Sequence, residues 1–276
     1  MTRSILSYNQ EDSVKLLCEI DLKKLLPAPK QKERFEKKWD VFLESDPHNN
    51  EIFKLEGDVL KYESEQLIPS KSEDRRTPLL LVLGNPASHS VKEGMFFSFE
   101  GNKKEHRFWK DILAKAGVVK LSYDENLSVA ELNKQRKKQL LNIDYNSPFQ
   151  IGLCVFTSMP SAPSGKWSGI AGVQKLIGAK AMRELEKEES LRVIECAKQF
   201  LSPKGVAVAF QKNAWNALRS DTDPDYKLSL AKEGKLKGHL KEMPNVPLIG
   251  VPPTRLSGPC SKMLRQLLED KGYNLP

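Results

Sequence analysis

Four short runs of nearly continuous apolar residues, at 79–83, 151–156, 206–210 and 246–251, interrupt an otherwise highly charged chain. Each has the length of a strand and lacks the one-sided spacing of a surface helix, which predicts strands buried on both faces. Helix-spaced apolar positions fill the intervals at 105–117, 129–142, 170–187, 190–200 and 212–220, and again at 260–272. Apolar runs alternating with amphipathic helices predict an α/β fold, a three-layer α/β/α sandwich around a four-stranded, mainly parallel sheet. Right-handed crossovers place all strand C-termini on one edge. Each run is followed by a polar turn rich in Gly, Pro or Ser, so the turns are expected to converge on one site.

The first quarter of the chain reads differently. Residues 11–24 and 30–44 carry helix-spaced apolar positions among many charges, separated by Pro27 and Pro29. Residues 52–62 alternate around Glu56-Gly57-Asp58, predicting a short β-hairpin, and 64–78 reads as an exposed connector. Large apolar residues are sparse here. The expected organisation is therefore an elaboration over 1–75 packed on a main domain over 76–276.

Composition narrows the class. Apolar residues make up 39% and charged residues 29% of the 276, and no run of about 18 apolar residues is present to cross a membrane. Met1 to Tyr8 lacks the apolar stretch of a secretory signal, so a cytoplasmic location and a monomer are expected. Lys and Arg outnumber Asp and Glu by 44 to 36, a formal charge of +8, which suits a polyanionic partner. Cys18, Cys154, Cys196 and Cys260 include no C-x-x-C pair, and His48, His89, His106 and His239 lack ligand spacing, so no metal or other cofactor is expected.

The chemistry is concentrated in the turns. After the first run comes Gly84-Asn85-Pro86-Ala87-Ser88-His89-Ser90, then Gly94-Met95-Phe96-Phe97, then His106-Arg107-Phe108-Trp109. Gly84 allows a tight turn, Asn85 brings one acceptor and two donors, and Pro86 fixes the chain beyond them. The second run leads into Thr157-Ser158-Met159-Pro160-Ser161-Ala162-Pro163-Ser164-Gly165-Lys166. Its Gly-Lys ending is not a Walker A loop, because the position needing the first glycine holds Pro160. The third leads into Gln211-Lys212-Asn213-Ala214-Trp215, where small alanines allow close helix–sheet approach. The fourth leads into Gly250-Val251-Pro252-Pro253-Thr254-Arg255-Leu256-Ser257-Gly258.

The order G-N-P-x-x-x-S, G-x-F-F, R-F-W resembles motif one of the uracil-DNA glycosylase superfamily, nearest the mismatch-specific uracil and thymine glycosylases. The resemblance spans roughly residues 76–276. It implies that Asn85 positions an attacking water, that Gly84 lines the base pocket, and that Phe97 or Phe96 stacks on an extruded base. Ser158, Ser161 and Lys166 occupy the region that contacts DNA backbone or the base pocket in that superfamily. The fourth turn is similar to motif two, with Pro252, Leu256 and Ser257 matching in type. There Val251 or Pro252 stands where that motif carries His or Asn, and neither side chain donates a hydrogen bond. Arg255 either replaces that donor or meets a phosphate, and His89 is a second candidate replacement. Thr254, Ser257 and Lys262 are the remaining candidate DNA contacts, near the start of the last helix.

The resemblance implies hydrolysis of the N-glycosidic bond of uracil or a related damaged or mismatched base in DNA, within base excision repair. The nucleotide would have to be flipped out of the stack, since the bond is inaccessible within it. The alternatives are a glycosylase-like protein that binds nucleic acid without cleaving it, and a hydrolase of a free nucleotide-like molecule.

Overall fold

The computed structural model of the protein describes residues 4–70, 74–101, 104–121, 126–202 and 204–276. Its strands are β1 (Leu6–Gln10), β2 (Lys15–Asp21), β3 (Phe53–Glu56), β4 (Val59–Leu67), β5 (Thr77–Leu83), β6 (Phe149–Val155), β7 (Val206–Ala209), β8 (Lys237–Leu240) and β9 (Met243–Gly250). Its α-helices are α1 (Leu22–Leu25), α2 (Pro29–Leu43), α3 (Asn49–Ile52), α4 (Ser88–Glu93), α5 (Val129–Asn142), α6 (Gly169–Ile177), α7 (Ala179–Leu201), α8 (Lys212–Leu218), α9 (Leu228–Lys232) and α10 (Ser257–Glu269). A π-helical segment, Phe108–Ala114, and a 3-10 turn, Gly165–Trp167, complete the regular structure. No described helix is long and apolar enough to cross a membrane.

The α/β class holds, but the expected four-stranded, mainly parallel sheet is overturned. The nine strands form a mixed sheet that is antiparallel at its edges. The four apolar runs are β5, β6, β7 and β9; the strands missed are those with one wet face. β2 alternates in burial, with Leu16, Cys18 and Ile20 at 1% exposure or less and Glu19 outside. Val14, Leu17 and Cys18 also satisfy a helical spacing, which is why 11–24 reads as a helix. Cross-strand pairing decides the matter: β2 is held on both sides, antiparallel to β1 and to β4. The helical spacing at 30–44 and the hairpin at 52–62 are realised as α2 and β3–β4.

Two compact units share the chain. The first joins Met1–Gln66 with Gly84–Phe96 and Val155–Arg192; the second joins Leu67–Leu83, Phe97–Cys154 and Val193–Pro276. The N-terminal segment thus builds one unit together with the first two polar turns.

In the first unit, Pro29 opens α2, where its fixed φ and missing N–H suit the first helical position. Phe35, Trp39 and Phe42 recur along one face and are buried. Phe35 stacks on Trp39 and Trp39 on Phe42, while Trp39 packs against Phe53 and Phe42 against Phe53 and Trp167, with ring centroids 5.3 to 6.0 Å apart across these contacts. Burial of each such ring contributes roughly 1.5–3 kcal/mol, so this cluster holds the helix to the strands. A helix break at Gly178, whose φ is +91°, separates α6 from α7. Gly172 permits the close approach of α6 to the preceding loop, since a Cβ there would lie 2.1 Å from the Trp167 carbonyl oxygen.

In the second unit, β7 pairs parallel with both β5 and β9, and β8 closes that edge antiparallel to β9. The residues of β7 and Leu79 to Val82 of β5 are buried at 2% exposure or less, as expected for strands covered on both faces. Leu264, Leu267 and Leu268 of α10 are buried as well.

Candidate active site

The turns after β5 and β6 meet within the first unit through backbone pairing. Thr157 N–H donates to the Gly84 carbonyl (3.1 Å), Ser161 N–H to the Pro86 carbonyl (3.1 Å) and Ser88 N–H to the Ser161 carbonyl (3.0 Å). Asn85 sits half-buried in this ladder. Its Nδ2 donates to Ser161 Oγ at 2.9 Å and to the Met159 carbonyl at 3.3 Å, with a long contact to the Pro86 carbonyl at 3.4 Å. Two of these partners are carbonyls that can only accept, so the amide orientation is determined chemically. Among the described residues no group donates to Asn85 Oδ1. The side chain therefore offers a fixed, unused acceptor.

Ser161 supports that orientation. Its Oγ accepts from Asn85 and from Gly169 N–H at 2.8 Å, and its own hydrogen is directed at the Ala162 carbonyl, 3.4 Å away. Its side chain is nearly fully buried. Ser158 is likewise buried and held by protein groups. Its N–H and Oγ–H donate to Glu189 Oε1 (2.6 and 2.5 Å), its Oγ accepts from the Tyr62 hydroxyl (2.7 Å), and its carbonyl accepts from Ser64 Oγ (2.6 Å). Arg192 donates through Nε to Glu189 Oε2 at 2.7 Å and through a terminal nitrogen to the Val155 and Phe156 carbonyls. Burial, with the Glu189 charge added, pushes the neighbouring Cys18 thiol up to about 12 and the Tyr62 hydroxyl well above its ordinary value. Neither group ionises near neutral pH.

His89 lies in α4 at 7% exposure and Gly84 and Phe96 are buried in the same unit. Ser88 of the same helix donates to the fully buried Asn49 of α3 at 2.5 Å, tying the turn to the N-terminal segment. Lys166 is exposed at the end of the second turn.

The remaining candidates belong to the second unit. Phe97 adopts φ +48°, an uncommon conformation for a bulky residue. Its ring stacks on Phe108 with centroids 4.2 Å apart and meets His106 at 4.6 Å, while its carbonyl accepts from Trp109 Nε1 at 3.1 Å. In the fourth turn the Val251 carbonyl accepts from the Tyr226 hydroxyl at 3.2 Å, and burial pushes that hydroxyl up to about 12. Thr254 is half-buried and Arg255 is exposed, with no carboxylate paired to it among the described residues. Ser257 is the first residue of α10 and makes no capping bond, and Lys262 is exposed one turn on. Cys260 is pushed up to about 12 by burial.

The supporting role of Ser161 and the Tyr62–Ser158–Glu189–Arg192 chain are not legible in the turn sequences, because their partners lie tens of residues away. Among the described residues no group of three or more His, Cys, Asp or Glu side chains is placed to hold a metal ion. No protein-family model matches the chain, and no curated protein sequence is significantly similar to it.

Proposed function

We propose that the turn carrying Asn85 orients a water for hydrolysis of an N-glycosidic bond, with a uracil-like base in an extruded nucleotide as the leaving group. The observation that carries this reading is the state of the Asn85 amide, whose nitrogen is committed to Ser161 and Met159 while its oxygen is unused. An acceptor so fixed aligns a nucleophilic water without abstracting its proton strongly, so catalysis rests on positioning and on the stability of the departing base anion. The excess of cations suits a DNA partner.

The test is excision from uracil-containing and mismatched oligonucleotides, read as abasic sites. Asn85→Ala is expected to lower kcat at least about 10²-fold, the scale of removing one preorganised polar group, with little change in DNA affinity. Absence of abasic product with every base tried, alongside measurable DNA binding, rejects hydrolysis.

A second reading has its own support. Val251 and Pro252 provide no side-chain donor for charge developing on a departing base, and the Val251 carbonyl is engaged by Tyr226. A protein that recognises DNA without cutting it accounts for that loss. It predicts affinity that falls with salt and is indifferent to the neutral change Asn85→Ala, with no abasic product from any base.

A further inference from the structure

Two of the five cations on the N-terminal helix α2 are neutralised where they stand. Lys32 pairs with Asp58 and Glu36, and Lys37 pairs with Glu33. Along another face of the same helix, and onto α6 and α7, the pattern reverses. Arg34, Lys38, Lys166, Lys175 and Lys180 have no ion-pair partner among the described residues. Gln31, Arg34, Lys38 and Lys180 line a cleft of about 220 Å³ whose floor is the α6–α7 junction, all within the first unit. Lys38 Nζ donates to the Lys175 carbonyl at 2.6 Å, bringing the cleft beside Lys175, whose own ammonium lies 5.1 Å from the Trp167 ring centroid. Partial burial, reinforced by repulsion from Lys166 and Lys38, lowers the Lys175 pKa. Lys180 is partly balanced by Glu184, whose pKa it helps lower, but the gathered like charges still raise the free energy of the free protein, and an anion seated among them relieves it.

We propose that this cleft and the adjoining Lys166–Lys175 pair bind successive phosphates of a nucleic-acid backbone. The cleft takes one phosphate between Arg34, Lys38 and Lys180. The line of charge running on to Lys175 and Lys166 suits a polymer better than a single anion. Gln31 supplies a neutral donor at the rim. Lys166 is thereby given a specific partner, and the N-terminal helix a role in substrate binding. This inference deepens the nucleic-acid reading above and rests on its choice of partner, but not on the glycosidic step.

The experiment compares the intact chain with a K38Q/K175Q/K180Q variant, titrating fluorescein-labelled single- and double-stranded oligonucleotides over a series of KCl concentrations. A K110Q/K134Q/K138Q variant removes the same formal charge from exposed positions elsewhere, and K38R/K175R/K180R keeps the charge in place. The slope of log affinity against log salt is expected to become shallower by about 0.9 per lost phosphate contact on duplex and about 0.7 on single strands. The control and arginine variants should retain the parental slope. Phosphatidylserine vesicles and inorganic phosphate are titrated in parallel. Equal losses in the target and control variants overturn the proposal, as does a loss seen with those two probes and not with the oligonucleotides. A chain that excises no base yet loses affinity through these three lysines keeps this inference and drops the glycosylase reading. Active excision with unchanged affinity does the reverse.

Discussion

Asn85 illustrates how one residue gains a direction from its neighbours. Its sequence setting, Gly-Asn-Pro after an apolar run, is compatible with ordinary turn punctuation. The structure adds that two carbonyls and a serine hydroxyl take up the amide nitrogen and leave the oxygen available. Ser161 is the hinge of that arrangement, accepting from both Asn85 and Gly169. On the proposed glycosidic reading, Ser161→Ala is expected to release the amide and lower the kcat of excision about tenfold, one hydrogen bond's worth of orientation, while KM for the oligonucleotide stays within twofold on that same scale. Ser161→Thr, which keeps the hydroxyl, should recover most of the rate. Steady-state kinetics beside a thermal melt separates this from simple destabilisation: parallel losses of kcat and stability in both variants argue against a positioning role.

At the scale of the element, α7 contributes a buried ion pair that braces the second turn. Glu189 and Arg192 are 0% and 1% exposed, one helical turn apart, and between them they bind Ser158 and the Val155 and Phe156 carbonyls. Removing one member of such a pair leaves an uncompensated buried charge, so Arg192→Ala is expected to destabilise the fold by about 3–5 kcal/mol. Replacing both, as in R192M/E189L, should be far milder, although Ser158 then loses its acceptor. Urea denaturation of the two variants checks this: a double variant as unstable as the single one removes the buried-charge explanation. The pair was not legible beforehand: helical patterns at 170–187 and 190–200 leave Glu189 between them, whereas α7 runs unbroken through both residues. Its burial was hidden too, because the sequence around it reads as one more charged surface.

The whole molecule adds a pH dependence with two opposing limbs. Burial holds the Glu65 carboxyl well above its usual range, and its Oε2 has no hydrogen-bond partner among the described residues. The native state then binds a proton that the unfolded chain releases, so this group's contribution to stability falls as pH rises past about 4.5, the usual carboxylate region. Glu100 behaves oppositely: the Arg107 guanidinium holds it down to about 2, and the stability it contributes is lost as pH falls from the usual range towards that value. Melting temperatures across pH should show Glu65→Gln flattening the neutral side and Glu100→Gln flattening the acid side. A Glu65→Gln profile that parallels the parent would mean that this carboxyl is already ionised in the native state. At the same scale lies the division between what was readable and what was not. The chain alone specified the α/β class, the positions of β5, β6, β7 and β9, α2 and the β3–β4 hairpin, and the clustering of polar residues after the strands, because continuous burial and strong periodicity leave marks on consecutive residues. The antiparallel strands at the sheet edges, the assembly of residues 1–66 with two later segments into one unit, the orientation of Asn85 and the unpaired cations around Lys38 came only from tertiary structure. Each depends on partners distant in sequence, and a half-wet strand or a charged helix face looks the same locally whichever partner it finally meets.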